Sequence, residues 1–240
     1  MSITQNLDDV SQNILSLNEL NTVVSNVSGN PFKATCKIKI GEDSGEINQE
    51  ENAVAIGCKA GQFNQKLNSI AIGAEAGYCN QGGGVTSSST LFGGSVAVGK
   101  TAGYCNQNQK CVAVGYSAGR CNQGKANISA LGESSVAVGN YAGADSQGKG
   151  SVAVGHFAGR SDQGISGTGG TIGNAIAIGK FAGYCNQGRN SVAVGGTVGE
   201  NNQGHNSVAV GSAAANDNQG KNSVAVGAFA ASDNQGCNSV

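Results

Sequence analysis

Apolar and polar residues alternate in a short phrase, Ser-Val-Ala-Val-Gly at Ser95 to Gly99, which returns ten times between Ala53 and Gly227 with changes such as Ile for Val. The glycine that closes it falls at Gly57, Gly73, Gly99, Gly115, Gly139, Gly155, Gly179, Gly195, Gly211 and Gly227. The spacings are 16, 26, 16, 24, 16, 24, 16, 16 and 16, so the unit is 16 residues and three copies carry insertions of 8 or 10. In the copy from Asn190 to His205, Val192 and Val194 put β-branched side chains on one face of a short strand and Ala193 on the other. Gly195 and Gly199 then mark turns, and Asn202-Gln203-Gly204 marks another. Each unit predicts one lap with corners, and a fixed period predicts that the laps stack. The expected fold class is all-β, a parallel β-roll or solenoid of 16-residue laps over residues 52–240, ten laps and the start of an eleventh.

Stacking turns each repeat position into a column with about 4.8 Å between equivalents. One column holds Gln in all ten laps: Gln65, Gln81, Gln107, Gln123, Gln147, Gln163, Gln187, Gln203, Gln219 and Gln235. Stacked primary amides donate and accept along such a column, as in cross-β ladders; the alternative reading is a ligand-binding stripe. An Asn column runs beside it, interrupted at Ser146 and Asp162. The lap's core is expected to be two large aliphatic residues and a nearly constant Ala such as Ala158 or Ala182. That is thin against the entropy of ordering a whole lap, so further apolar burial between chains is expected.

Ahead of the laps, apolar residues at Ile3, Leu7, Val10, Ile14, Leu17 and Val24, with Asn21 in the remaining core slot, follow a heptad pattern. β-branched residues at both a and d positions and one polar core Asn fit a trimeric coiled coil of about 33 Å; an amphipathic helix docked on its own roll or on another protein is the alternative. The expected helix occupies 1–28 and stops near Ser28-Gly29-Asn30-Pro31. Residues 29–51 are expected to form a strand or short hairpin capping the first lap and hiding its edge. The insertions, Gly84 to Gly93, Ala126 to Glu133 and Ser166 to Gly173, fall at one place in the repeat and should leave one edge of the roll. Their polar residues Thr86, Ser87, Ser88, Thr90, Thr168 and Thr171 are candidate partner contacts. The chain stops at Val240, three residues into the eleventh lap, so continuation of the stack by another element, or a fragment, is expected.

The phrase Asn-Ser-Val-Ala-Val-Gly with a following Ala-Gly resembles the head repeat of trimeric autotransporter adhesins. The resemblance implies a left-handed parallel β-roll packed around a threefold axis, a homotrimer, and a structural or adhesive role with no catalytic residue. The 16-residue unit ending Cys-Asn-Gln-Gly or Asp-Asn-Gln-Gly is longer than the usual bacterial head unit and is similar to repeat proteins encoded by giant DNA viruses. That likeness implies a virion fibre or spike component made in the host cytoplasm, meeting other virion or surface proteins through its N-terminal helix. A cell-surface adhesin reading a host glycan or protein receptor through the inserted loops is the alternative.

Composition narrows the choice. A net charge of −1 with 12% charged residues gives no basic excess for nucleic acid. Forty glycines with one proline and no three-residue period exclude collagen. No apolar run reaches membrane-spanning length, so no membrane insertion is expected, and the N-terminus lacks the pattern of a secretory signal. An enzyme is not expected, since no carboxylate pair, paired nucleophile and base, or phosphate loop recurs at usable spacing. Ice binding is disfavoured for want of a Thr column. No cofactor is implied. Of eight cysteines, Cys79, Cys105 and Cys121 share a column on consecutive laps and Cys185 lies further along it. With no Cys-x-x-Cys spacing and two histidines, His156 and His205, a metal site is not expected. Reduced, space-filling thiols are one reading and a candidate disulfide column at Cys79, Cys105 and Cys121 the other. Against the latter, side chains on parallel laps hold their Cβ atoms near ~5 Å, beyond the usual ~3.8 Å.

Overall fold

The computed structural model describes residues 36–83, 93–124, 134–165 and 173–240. The heptad positions Ile3, Leu7, Val10, Ile14, Leu17, Asn21 and Val24 and the insertion residues Thr86, Ser87, Ser88, Thr90, Thr168 and Thr171 lie outside the described residues.

The described chain is a parallel β-solenoid. Its strands are β1 (Ile38–Ile40), β2 (Val54–Ile56), β3 (Ile70–Ile72), β4 (Val96–Val98), β5 (Val112–Val114), β6 (Val136–Val138), β7 (Val152–Val154), β8 (Ile176–Ile178), β9 (Val192–Val194), β10 (Val208–Val210) and β11 (Val224–Val226). They form one sheet whose spatial order is the sequence order. Equivalent residues pair: Val192 lies beside Val208 and Val208 beside Val224. Half a lap away, parallel bridges run from Ile47 and Phe63 through Cys79, Cys105 and Cys121 to Asp217 and Asp233 and close the coil. The insertions do not disturb this register; Ile70 pairs with Val96 across the longest of them.

Two expectations need correction. The segment before the first repeat does not fold back as a hairpin. β1 pairs parallel with β2, Ile47 bridges Phe63, and Gln49 joins the Gln column, so the segment continues the coil as a divergent lap. Its strand, Ile-Lys-Ile, keeps the alternation but loses the central alanine.

The second correction concerns the core. The central alanine of the strands faces inward, and Ala55, Ala97, Ala137 and Ala193 are fully buried, as are Ala60, Ala102 and Ala158 at the following corner. The flanking Val and Ile side chains point out of the coil and are half-buried or exposed. The physical reason is lap size. Sixteen residues enclose a bore that small side chains fill, so Ala, Ser and one amide per lap occupy it and branched side chains are turned outward.

The amide is the Gln of each lap, fully buried at Gln65, Gln107, Gln147 and Gln187. Its Nε2 crosses the bore to donate to the carbonyl of the first strand residue in its own lap, 2.8 Å from Gln107 to Val96 and 2.7 Å from Gln123 to Val112. The same group donates to the Oε1 of the next Gln, at 3.0 Å from Gln49 to Gln65, Gln65 to Gln81 and Gln107 to Gln123. Links from Gln147 to Gln163 and from Gln219 to Gln235 form further segments. Between segments, Oε1 of Gln147, Gln187, Gln203 and Gln219 is buried without a partner. The expected ladder therefore exists, but inside the bore; the corners are held by Asn. Asn64, Asn80 and Asn106 adopt φ near 55°, which Asn tolerates better than most residues, and their side chains bond from lap to lap at 3.0–3.2 Å.

Glycine is required where laps touch. Gly99 has φ of 122°, and a Cβ there would lie 2.6 Å from the carbonyl oxygen of Gly115. At Gly103, φ is 53° and a Cβ would meet Cδ of Gln107 at 2.8 Å. The two last laps carry alanine at that second position, Ala215 and Ala231, with φ of 44° and 46°.

Substitutions at these two places should act in opposite directions. Gln107→Ala removes the brace to Val96 and leaves the Gln81 donor unanswered, costing about 3 kcal/mol. Ala215→Gly relieves a left-handed alanine and should gain about 1 kcal/mol. Urea unfolding checks both, and a Gln107→Ala chain as stable as its parent would show the brace to be idle.

Candidate functional surfaces

Because β-branched side chains are excluded from the bore, two columns of Val and Ile run down the outside of the sheet from β1 to β11, over about 48 Å. Lys39 is the one strand residue between them that is not alanine, at the divergent first lap. Most of these side chains are half-buried by their neighbours above and below, and Ile72 and Ile178 are exposed by 37% and 41%. An unbroken apolar strip of this length on one chain marks an interaction surface rather than scattered surface valines.

A second feature is a row of aromatic rings along a different corner. Tyr141, Phe157 and Phe181 occupy one column and stack at 5.2 and 5.3 Å, near-parallel at 18° and 12°. All three backbones are left-handed, with φ between 54° and 57°, a conformation that costs a bulky residue energy and that ring stacking helps to offset. Tyr116 meets Tyr141 edge-on, and Tyr184 meets both Phe157 and Phe181 edge-on. Arg160 lies over the Phe157 and Tyr184 rings at 5.5 and 5.4 Å, and Lys180 over Phe181. Tyr78 and Tyr104 form a separate stack at 4.9 Å. The five tyrosines therefore divide between two clusters. In the stacked columns the ring faces are turned toward one another, so the rows reinforce lap stacking.

The cysteines divide by position. Cys79, Cys105 and Cys121 follow one another in the bridge column, half-buried, as the sequence placed them. Cys185 stands in that column between Ser161 and Asn201. Cys111 is inside the bore at the position of the buried serines, its Sγ 3.3 Å from Oγ of Ser135. Cys36, Cys58 and Cys237 are exposed. The sulfurs of Cys79 and Cys105 approach to 2.6 Å, closer than parallel side chains on a 4.8 Å ladder suggest, because the two side chains lean toward each other. Burial, with the Cys105 thiol beside it, pushes Cys79 up to about 12; burial also raises Cys111, Cys121 and Cys185.

At each insertion the chain leaves and rejoins the roll at the same corner, after Gly83, Gly124 and Ile165 and before Gly93, Ser134 and Gly173. Laps without insertions hold that corner with Asn190, Asn206 and Asn222, bonded in series at 3.1 Å. Among the described residues no group of three His, Cys, Asp or Glu side chains gathers to hold a metal ion, and no helix is long and apolar enough to cross a membrane.

Two stretches of the chain, residues 130–158 and 203–230, match the family model of the YadA head domain repeat. No curated protein and no solved structure matches the chain. Each matched stretch contains a strand phrase, β6 with β7 in the first and β10 with β11 in the second, so the match falls on the repeat that builds the solenoid. YadA-head repeats are of a structural, adhesin-like kind, which agrees with the resemblance in the strand phrase.

Thiol reactivity tests the cysteine geometry. Only the thiolate is alkylated, so at pH 8 iodoacetamide should modify exposed Cys58 and Cys237 faster than Cys79, by on the order of tenfold or more. The Cys79 rate should still be climbing as pH approaches 12. Peptide mass spectrometry over a time course reads this, and equal rates would show that the Cys79 thiol is not held protonated.

Proposed function

We propose that this chain is a non-enzymatic structural element of a trimeric surface fibre or spike, in which three rolls pack their Val and Ile strips around a common axis. The strip itself carries the reading. The bore buries alanines and amides, so the largest apolar surface each lap owns is the one it presents outward. Burial at about 25 cal/mol per Å2 across ten lap spacings is the obvious source of the stability that the small-residue core lacks. Interior-like packing between copies also explains why the phrase holds Val and Ile on a surface that a monomer would make polar.

The likeness of the Asn-Gln-Gly lap endings to giant-virus repeat proteins supports a virion as the fibre's site, with the N-terminal heptads joining the three chains and meeting neighbouring structural proteins. In solution, light scattering under reducing conditions should give three times the mass of one chain. Val138→Asp, which puts a charge in the strip without touching the bore, should lower that mass while the strand signal in circular dichroism persists. A parent protein that runs as a single chain would overturn the trimer.

A second reading, a host-cell adhesin, is favoured by one observation: three insertions leave the roll at a single corner, on alternate laps. Loops on a rigid scaffold are suited to recognition. Removing the insertions at 84–92, 126–133 and 166–172 should abolish binding to host cells or to a glycan array if the loops recognise a receptor, and should leave it unchanged if the roll is a spacer.

A further inference from the structure

We propose that Cys79 and Cys105 are the site of a reversible disulfide that clips the lap of β3 to the lap of β4. They are bridge partners in adjacent laps, and their Sγ atoms stand in direct contact at 2.6 Å. The ~4.8 Å separation of paired laps falls within the Cα window that a disulfide spans, so closure needs side-chain rotation and no sliding of one lap on the next. Tyr78 and Tyr104, the residues immediately before the two cysteines, stack at 4.9 Å and brace the same corner.

The location gives the bond a purpose. Between these two cysteines the chain leaves the roll, after Gly83, and returns at Gly93. Elsewhere in the stack, such as Asn201 to Asp217, bridge partners belong to laps joined by continuous coil. A covalent clip at the first excursion closes the loop that carries it and fixes the laps on either side. The other cysteines are placed differently: Cys111 is engaged with Ser135 inside the bore, Cys185 is flanked by Ser161 and Asn201, and Cys36, Cys58 and Cys237 are exposed. Cys121, next in the column, is the one thiol positioned to exchange with the pair. The bridge column lies half a lap from the Val and Ile strip, so the bond falls within one chain and not across the proposed threefold contact.

The oxidant is a small-molecule disulfide of the glutathione class. One protein thiolate attacks it, forming a mixed disulfide and releasing one small thiol; the second protein thiolate then attacks the protein sulfur of that mixed disulfide and releases the other. Two protein thiols are oxidised, the small disulfide is reduced to two thiols, and the two protein protons end on them. Because burial keeps Cys79 protonated near neutral pH, the pair persists as a dithiol in a reducing compartment and closes when the small disulfide accumulates.

The full-length protein, incubated with oxidised glutathione, blocked with N-ethylmaleimide in denaturant and digested, should yield a Cys79–Cys105 linked peptide lacking two hydrogens. Cys79→Ser and Cys105→Ser should each abolish it and Cys121→Ser should retain it. The oxidised protein should melt several degrees above the reduced one. Linkage predominantly between Cys105 and Cys121, linkage between chains, or stable glutathione adducts on both Cys79 and Cys105 would overturn the assignment. If a serine variant fails to fold, the peptide map of the parent protein decides alone.

Discussion

Each lap of this protein is held open and held to its neighbour by the same buried amide. The Gln that crosses the bore bonds the carbonyl of its own strand, which fixes the lap's width, and where the ladder is continuous it also bonds the next Gln, which fixes the lap's height. The rest follows from that placement. An amide of this length spans a 16-residue lap only if the residues around it are small, so alanines and serines fill the bore beside it. The glycine opposite it, Gly103 in the lap of Gln107, lacks a side chain because the amide occupies that space. A hydrophobic core would be indifferent to lap register, whereas a buried amide must meet its partners or leave them unsatisfied, and so it specifies one lap length and one alignment.

The period, the strands and the parallel stacking were legible in the sequence because the Val-Ala-Val phrase and its glycine repeat without change of spacing. The inside and outside of the roll were not. Alternation states that Val and Ala lie on opposite faces of a strand, and hydrophobicity alone assigns the larger residue to the core. What decides the matter is the size of the bore, a property of lap length that no single phrase carries. The invariance of Gln, read as a corner ladder, was the available signal: a polar residue that never varies beside an alanine that never varies fits an interior better than a surface. The divergent lap at β1 escaped for a different reason, since Lys39 replaces the alanine and breaks the phrase while Gln49 and Asn48 preserve the columns.

Turning the branched side chains outward reverses the usual relation between folding and assembly. In most domains the core is completed within the chain and the interface is added to it. Here the coil encloses little apolar surface and its largest apolar side chains are offered to neighbours, so association and folding draw on the same residues. The resemblance of the strand phrase and the matches to the YadA head domain repeat fall on that same phrase. The conserved-looking motif is thus at once the element that forms the sheet and the element that the sheet presents.

The amide columns also have a direction. Backbone bonds between laps point both ways along the stack: the amide of Val54 reaches forward to Ser69, while that of Gly57 reaches back to Ile40. The side-chain amides do not alternate. In the Gln and Asn columns each bond between laps runs from the NH2 of one lap to the oxygen of the following lap. Their dipoles therefore add along the axis, as peptide dipoles add along an α-helix, with the positive sense toward the later laps. The rod is electrically a vector: its two ends differ in sign, and rods set side by side in the same orientation reinforce a common field.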